Sequence, residues 1–149
     1  MDGEGPAAIG AAEHLRERDA DSEVTLICAQ AQPPYARMAI PYFLTGKVGE
    51  EGTYLRRSQD HYQNHGLKFV HGEVTAVDPT GHAVTLSDGQ QISYDKLLLA
   101  TGAEPIIPPV SGMDDPRVQP CWHLYDAQRI IEPLKHGAQS VQARRGVTG

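Results

Sequence analysis

The segment that most constrains the fold of this chain runs from Tyr94 to Pro105. Its apolar centre, Leu97 to Ala100, shows no alternation of polar and apolar residues, which is typical of a strand covered on both faces. Small residues follow directly, and Gly102 permits torsions and close contacts that a side chain would forbid. The segment therefore predicts a buried strand that leads into a tight turn, where a ligand can approach the backbone.

A glycine-rich turn near the start of the chain complements that strand. Gly3, Gly5 and Ala8 fit the G-x-G-x-x-G/A spacing, in which the glycines allow a tight turn and the close approach of a pyrophosphate. Residues 9–16 continue it as a helix whose first N–H groups would face a phosphate. The alternative is a flexible N-terminal tail, which the helical pattern behind the glycines makes less favourable.

The remaining pattern predicts an α/β fold. A buried strand is expected over 22–29, a helical turn after Pro41, and a short polar helix around 58–64 that Gly66 caps. Three strands then form an antiparallel meander attached to the parallel core, with Asp88-Gly89 as a hairpin turn. These strands are predicted over 67–77, 83–87 and 91–99.

The C-terminal third is predicted to be less regular. Residues 103–121 are rich in proline and should lack regular structure. A helix is expected over 126–134, and Pro133 should disturb or end it.

Composition excludes some functional classes. The 149 residues carry a formal net charge of −6, and the basic pairs at 56–57 and 144–145 are too few to neutralise a nucleic-acid backbone. No apolar run approaches the roughly 20 residues of a membrane span, and the first residues do not resemble a signal peptide. We therefore expect a cytoplasmic protein with no nucleic-acid or membrane partner.

Cysteine and histidine spacing gives no metal or redox site. Cys28 and Cys121 are far apart and form no C-x-x-C motif, so both are predicted to be inert thiols. His61 and His65 are the one histidine pair that could share a helix face, but without a nearby acidic or thiol ligand a polar helix face is the favoured interpretation.

A proline-containing segment over 33–44 offers candidates for a cofactor edge. Its three aromatic residues, Tyr35, Tyr42 and Phe43, either line a cofactor or pack a loop against the core, and the sequence favours neither. Arg37 is the better candidate, because a guanidinium can meet a phosphate or a ring carbonyl.

Taken together, these features resemble the FAD domain of pyridine nucleotide-disulfide oxidoreductase-like flavoproteins, particularly the NADH oxidase, ferredoxin reductase and nitrite reductase large-subunit branch. The resemblance covers residues 3–137 and rests on several motifs in the correct order. They are the glycine turn at 3–8, Pro34-Tyr35-Ala36-Arg37, Ile40-Pro41-Tyr42, the segment 72–78, the Asp88-Gly89 hairpin and the run 94–102. The implied fold is a partial Rossmann-like FAD/NAD(P)-binding fold, with a parallel sheet and a β-meander but without the first strand.

The resemblance implies one cofactor, FAD, and assigns residues to it. Four groups of residues are assigned to different parts of the cofactor. They are Gly3, Gly5, Pro6 and Ala7 at the pyrophosphate, Val74 at the adenine through its backbone, Ala100, Thr101 and Gly102 along the cofactor, and Arg37 and Pro41 nearer the flavin. Full-length relatives pass a hydride from NAD(P)H to the flavin and electrons on to an acceptor, so no catalytic acid, base or nucleophile is assigned to this chain.

Two positions depart from the family pattern. An acidic ribose ligand is expected after the second strand of the family, but here Gln30 can give only a neutral hydrogen bond. Members of the family with a redox-active cysteine carry it at a position that corresponds to the neighbourhood of Met38. This chain has no cysteine there, so peroxidase or disulfide-reductase chemistry is not expected.

The two ends of the chain also differ from the family pattern. Only two residues precede Gly3, where the first strand is expected, and the glycine-rich turn of an NAD(P)H domain does not follow 140–141. We therefore expect a partial FAD-binding domain over 3–137, with an unstructured tail or truncated NAD(P)H-domain start over 138–149. Alternatively, the start is internal to a longer reading frame.

Two functions follow from this sequence. The first is the FAD-binding portion of an NAD(P)H-dependent flavin oxidoreductase that is not catalytically competent alone. The second is a noncatalytic remnant or adaptor that associates, also with itself, through an exposed sheet edge.

Overall fold

A computed structural model describes residues 5–58, 60–137 and 139 of the chain. Within these described residues, four α-helices and five strands form the framework, with two short 3-10 turns at 37–39 and 50–53. The helices are α1 (Pro6–Arg18), α2 (Ile40–Leu44), α3 (His61–Asn64) and α4 (Leu124–Lys135). The strands are β1 (Val24–Cys28), β2 (Leu67–His71), β3 (Val74–Asp78), β4 (Ala83–Leu86) and β5 (Gln91–Ser93).

A parallel sheet with one covering helix forms the first layer of the fold. Strands β1 and β2 pair in parallel, from Val24 opposite Leu67 to Cys28 opposite His71. Helix α1 lies on one face and buries Ala8 and Ala12 completely against the cluster that contains Leu26. Two alanines with no exposed surface let the helix approach the sheet closely, as the third position of the glycine pattern predicts.

An antiparallel meander covers the other face of the sheet. Strands β3, β4 and β5 pair in chain order, and Val84 and Leu86 of β4 pack against Ile27 of β1. The β4–β5 turn contains Gly89 at φ 87°, which is the left-handed region that favours glycine. The parallel sheet with an attached meander is therefore confirmed.

One predicted strand is two strands in the structure. The segment 67–77 breaks after His71, so its first half joins the parallel sheet and its second half joins the meander. Gly72 marks the break: its N–H donates to the carbonyl of Cys28 at 2.9 Å, and an added Cβ would stand 2.8 Å from Cδ1 of Leu86. A side chain at 72 would therefore displace the end of the Leu86 side chain at the crossing of the two layers.

The predicted buried strand over 97–100 is wrong. Strand β5 ends at Ser93, and the residues that follow show a single β-bridge at Leu99 instead of a ladder. Leu98 is 42% exposed and Leu99 57% exposed, whereas Ala100 packs against the α1 cluster. An apolar run predicts burial only where another element covers it, and the described residues leave Leu98 and Leu99 largely open.

Helices α2 and α4 pack together in a third cluster. Ile40 of α2 and Leu124 of α4 are buried with Tyr35. Helix α4 begins two residues before the predicted start, because the buried carboxylate of Asp126 accepts hydrogen bonds from the backbone N–H groups of Trp122 and His123. Pro133 lies in its last turn and the helix ends at Lys135, close to the predicted end.

The remaining local predictions agree with the structure where it describes them. Gly66 follows α3 at φ 63° as the expected cap, and 103–121 contain only turns and irregular chain. The predictions for 1–4, 138 and 140–149 lie outside the described residues. Among the described residues, no helix is long and apolar enough to cross a membrane.

Candidate functional site

The first turn of α1 is open to a ligand. Gly5 is the N-cap residue and makes no side-chain cap, while Pro6 and Ala7 are exposed. A Cβ added at Gly5 would have no atom within 4 Å. The first N–H groups of a helix lack intrahelical partners, so this turn offers free donors to an anion. Gly3, the first glycine of the pattern, lies outside the described residues.

Arg37 and the segment 100–103 come together although they lie far apart in sequence. The Nη1 atom of Arg37 donates to the carbonyl of Ala103 at 3.4 Å, and its guanidinium carbon lies 5.1 Å from the ring centroid of Trp122. The indole N–H of Trp122 donates to the same carbonyl at 2.7 Å. Gly102 follows an exposed Thr101 and has φ +74°, so the turn requires the glycine that was predicted there.

Pro41 and Val74 occupy separate positions. Pro41 is exposed in the first turn of α2, one turn after Arg37. Val74 is the first residue of β3 and packs half-buried against the cluster of Ile27, on the meander side of the sheet. The structure places Arg37 beside Ala103 directly, whereas it gives no contact that links Val74 to that group.

Gln30 lies just after β1 and takes part in a chain of side-chain hydrogen bonds. Its Oε1 accepts from the hydroxyl of Tyr35 at 2.8 Å, and its Nε2 lies 3.0 Å from Nδ1 of His123. The other ring nitrogen of His123 lies 2.8 Å from Oε2 of Glu104. The sequence did not indicate His123 or Glu104, because they lie far from Gln30 along the chain. Tyr35 is buried in the α2–α4 cluster, so it packs in the core and also holds Gln30.

A cleft of about 660 Å³ opens beside Gln30 at the carboxyl ends of β1 and β2. Tyr54 and Phe69 contribute aromatic walls, and Arg57 contributes a cation. Tyr62 also lines the cleft, and its buried hydroxyl has no hydrogen-bond partner in the described part of the chain. The volume lies in the range of small-molecule sites, and the position is the sheet edge where open α/β folds bind ligands.

A charged cluster supports the side of this cleft. Glu13 of α1 accepts hydrogen bonds from Nε and Nη2 of Arg56, and its Oε1 lies 2.8 Å from Nε2 of His61. Burial favours the neutral acid, but the hydrogen bonds and charges of Arg56 and His61 outweigh it and lower the pKa of Glu13. His61 therefore faces a carboxylate, although in the described residues no three acidic, histidine or cysteine side chains could hold a metal.

The residues present fit an extended, anionic dinucleotide cofactor. The start of α1 has no side-chain cap, the Gly102 turn has φ +74° with Arg37 beside it, and Ala100 packs on the cluster that contains α1 residues. The cleft opens separately, beside the end of β1. A parallel sheet with a glycine-rich helix start defines a dinucleotide-binding α/β protein.

Comparison with known proteins gives the family. The profile of the pyridine nucleotide-disulphide oxidoreductase family matches residues 3–147, so the chain belongs to that family. Membership confirms the predicted family and supports the prediction of FAD as the cofactor, with NAD(P)H expected only in full-length relatives.

Individual relatives agree with this assignment. The chain is 31% identical over 147 residues to the NADH-dependent phenylglyoxylate dehydrogenase subunit epsilon of Aromatoleum evansii, a match over 99% of this chain and 35% of the relative. It is 30% identical over 139 residues to an NADH oxidase of Methanocaldococcus jannaschii, covering 89% of this chain and 31% of that one.

A solved structure shows the same fold. The NAD-dependent persulfide reductase from A. fulgidus superimposes with a TM-score of 0.84 at 26% identity, over 93% of this chain and 27% of that one. The chain therefore spans about a third of the length of the relatives it matches.

Proposed function

We propose that this chain is the FAD-binding portion of an NAD(P)H-dependent flavin oxidoreductase. The observation that carries the proposal is the meeting of Arg37 with the Gly102 turn. A Cβ at 102 would stand 3.2 Å from Nη1 of Arg37, so the guanidinium lies against the backbone of Gly102. Because glycine has no side chain, a ligand can approach that backbone closely. Ala100, two residues earlier, packs on the cluster that holds α1, and the anion-binding helix start therefore belongs to the same unit.

Different residues of the chain would contact different parts of FAD. Gly5, Pro6 and Ala7 at the helix start would face the pyrophosphate, residues 100–102 would line the cofactor, and Arg37 and Pro41 would lie nearer the flavin. Gln30 and the backbone of Val74 would serve the adenosine side. When bound, FAD accepts a hydride from NAD(P)H and passes electrons to an acceptor, while the chain binds and orients it.

Flavin binding by the purified chain tests this proposal. Gel filtration with added FAD should give a protein peak that keeps a structured visible absorbance. Arg37→Ala should lower FAD affinity about ten- to hundredfold, since a charged hydrogen-bond partner contributes about 1.5–3 kcal/mol. The matched control is Arg117→Ala, which removes an arginine whose side chain is 89% exposed and paired with Asp115. A colourless wild-type peak would contradict the proposal.

We further propose that the isolated chain does not turn over NAD(P)H. The relatives it matches are at least about three times longer, and an NADH oxidase and an electron-transfer subunit occur among them. With FAD bound, we expect no steady oxidation of NADH or NADPH in the presence of dichlorophenolindophenol. Sustained turnover above the rate of free FAD would contradict this expectation.

A second candidate function rests on the exposure of Leu98 and Leu99. Two exposed leucines beside a single bridge offer an edge at which a strand of a second copy could pair. If the chain is an adaptor of this kind, it should form dimers in sedimentation, and Leu99→Lys should return it to monomer. A monomeric wild-type chain would exclude this candidate.

A further inference from the structure

We propose that Tyr35 and His123 are positioning residues that fix the amide orientation of Gln30 for the ribose hydroxyls on the adenosine side of the cofactor. This inference rests on the proposed FAD function. It assigns roles to two residues for which the sequence indicated none on the adenosine side, and it explains how a neutral residue can serve at a position where the family has an acid.

The backbone at the start of α4 sets the direction of the hydrogen bonds. The N–H of Leu124 can only donate, and it lies 3.2 Å from the hydroxyl oxygen of Tyr35, which therefore accepts. The proton of that hydroxyl must then go to another partner. Gln30 is 2.8 Å away, so the atom it presents to Tyr35 is the amide oxygen.

The chain of hydrogen bonds runs on from Gln30 through His123 to Glu104. With its oxygen toward Tyr35, Gln30 presents Nε2 to Nδ1 of His123 at 3.0 Å, and an amide nitrogen only donates. Nδ1 of His123 is thus an acceptor, and the ring proton lies on Nε2. That atom is 2.8 Å from Oε2 of Glu104, which accepts it. In this arrangement every hydrogen bond has one donor and one acceptor, and an amide flip at Gln30 would leave the hydroxyl proton of Tyr35 without the Oε1 acceptor.

The fixed amide retains capacity for a ligand. An amide has two N–H donors and an oxygen with two lone pairs, and this network uses one donor and one lone pair. Gln30 is half-buried and lines the cleft at the sheet edge. A ribose presents two adjacent hydroxyls, each of which donates and accepts, so one remaining N–H and one lone pair suit a diol. Without these hydrogen bonds, the Gln30 side chain would lose conformational entropy when it bound the ribose. The network already holds the side chain in place, so binding costs less entropy.

Binding of FAD and of ADP to the full chain tests the proposal, because ADP carries only the adenosine half. Gln30→Ala and Tyr35→Phe should each weaken both ligands by about three- to tenfold. In the Gln30→Ala background, adding Tyr35→Phe should change affinity by less than about twofold, since the group it positions is gone. Tyr94→Phe is the matched control, because its hydroxyl donates to the carbonyl of Asp78 in the meander.

The outcomes separate this proposal from the proposed function. If wild type binds neither ligand, the FAD function fails and this inference fails with it. If wild type binds both and Tyr35→Phe weakens binding equally with and without Gln30, Tyr35 is only structural and the inference alone is overturned.

A ligand-free measurement tests the orientation itself. The nitrogen chemical shifts of His123 should report the tautomer with the proton on Nε2 in the full chain, and Tyr35→Phe should broaden or shift the Gln30 amide signals. Observation of the Nδ1–H tautomer in the wild-type chain would overturn the inference whatever the binding data give.

Discussion

Arg37 and Gly102 lie in close contact, because a Cβ at 102 would stand 3.2 Å from Nη1 of Arg37 and the guanidinium would have to shift by a few tenths of an ångström. The same turn holds Gly102 at φ +74°. A substitution there therefore acts in two ways, through backbone strain and through displacement of the arginine. These two effects can be separated, because Gly112 has a similar torsion, φ +89°, with open space around it.

Gly102→Ala should weaken FAD binding by more than it weakens the fold. We expect about 1 kcal/mol loss in the free energy of unfolding from the left-handed torsion, and about tenfold weaker FAD binding as Arg37 moves away from Ala103. Urea denaturation and flavin titration measure the two effects. Gly112→Ala should lose similar stability and keep its FAD affinity, and equal weakening of FAD by both substitutions would contradict the assigned role.

Glu13→Gln should destabilise the chain at neutral pH and have less effect in acid. Loss of the carboxylate leaves Arg56 without its charged partner, and because Arg56 is partly exposed we expect about 1–2 kcal/mol from urea denaturation at pH 7. Burial raises the pKa of Glu13, but the contacts with Arg56 and His61 lower it by more, so the pKa in the folded chain lies below 4.5. Its contribution is therefore complete above the unfolded value near 4.5 and disappears as the pH falls through the folded value.

The control for this prediction is Glu17→Gln on the same helix. Glu17 is largely exposed and lies 3.3 Å from His14, so its removal should change stability by less than about 0.5 kcal/mol. A gap between wild type and Glu13→Gln that grows as the pH falls from 7 to 4 would show that the sign is wrong.

Asp126→Ala should destabilise the start of α4. The carboxylate is 2% exposed and accepts from two backbone N–H groups, so alanine leaves the buried N–H of His123 and the half-buried N–H of Trp122 without that partner. We expect a loss of about 1–2 kcal/mol, whereas Asp126→Asn, which keeps one oxygen acceptor, should lose less. Thermal unfolding of the two variants measures the difference, and equal losses would mean that packing and not capping sets the cost.

Tyr62→Phe should leave the ligand-free chain as stable as wild type or more stable by up to about 1 kcal/mol. The Tyr62 ring packs edge-to-face on Phe69, a contact that phenylalanine keeps, while the buried hydroxyl has no partner in the described residues. Denaturation midpoints measure this. A loss above about 1 kcal/mol would show that the hydroxyl is hydrogen-bonded in solution.

The sequence by itself determined the elements that depend on local chemistry. Pro6 after Gly5 begins α1, Gly66 caps α3 and Asp88-Gly89 turns the hairpin, because in each case a few adjacent residues fix the torsions. The motif order was equally local, and it was sufficient to predict the family and to place Arg37 and Gly102 among the candidates.

Only the tertiary structure decided what covers each apolar run and which side chains meet. Leu98 and Leu99 have the pattern of a buried strand but are exposed, since burial depends on neighbouring elements that the local pattern does not encode. Gly72 splits one predicted strand because Leu86 approaches it from the other layer. Gln30 meets His123 from 93 residues away, because Tyr35 bonds both Gln30 and the N–H of Leu124 at the start of α4, and no local rule records that contact.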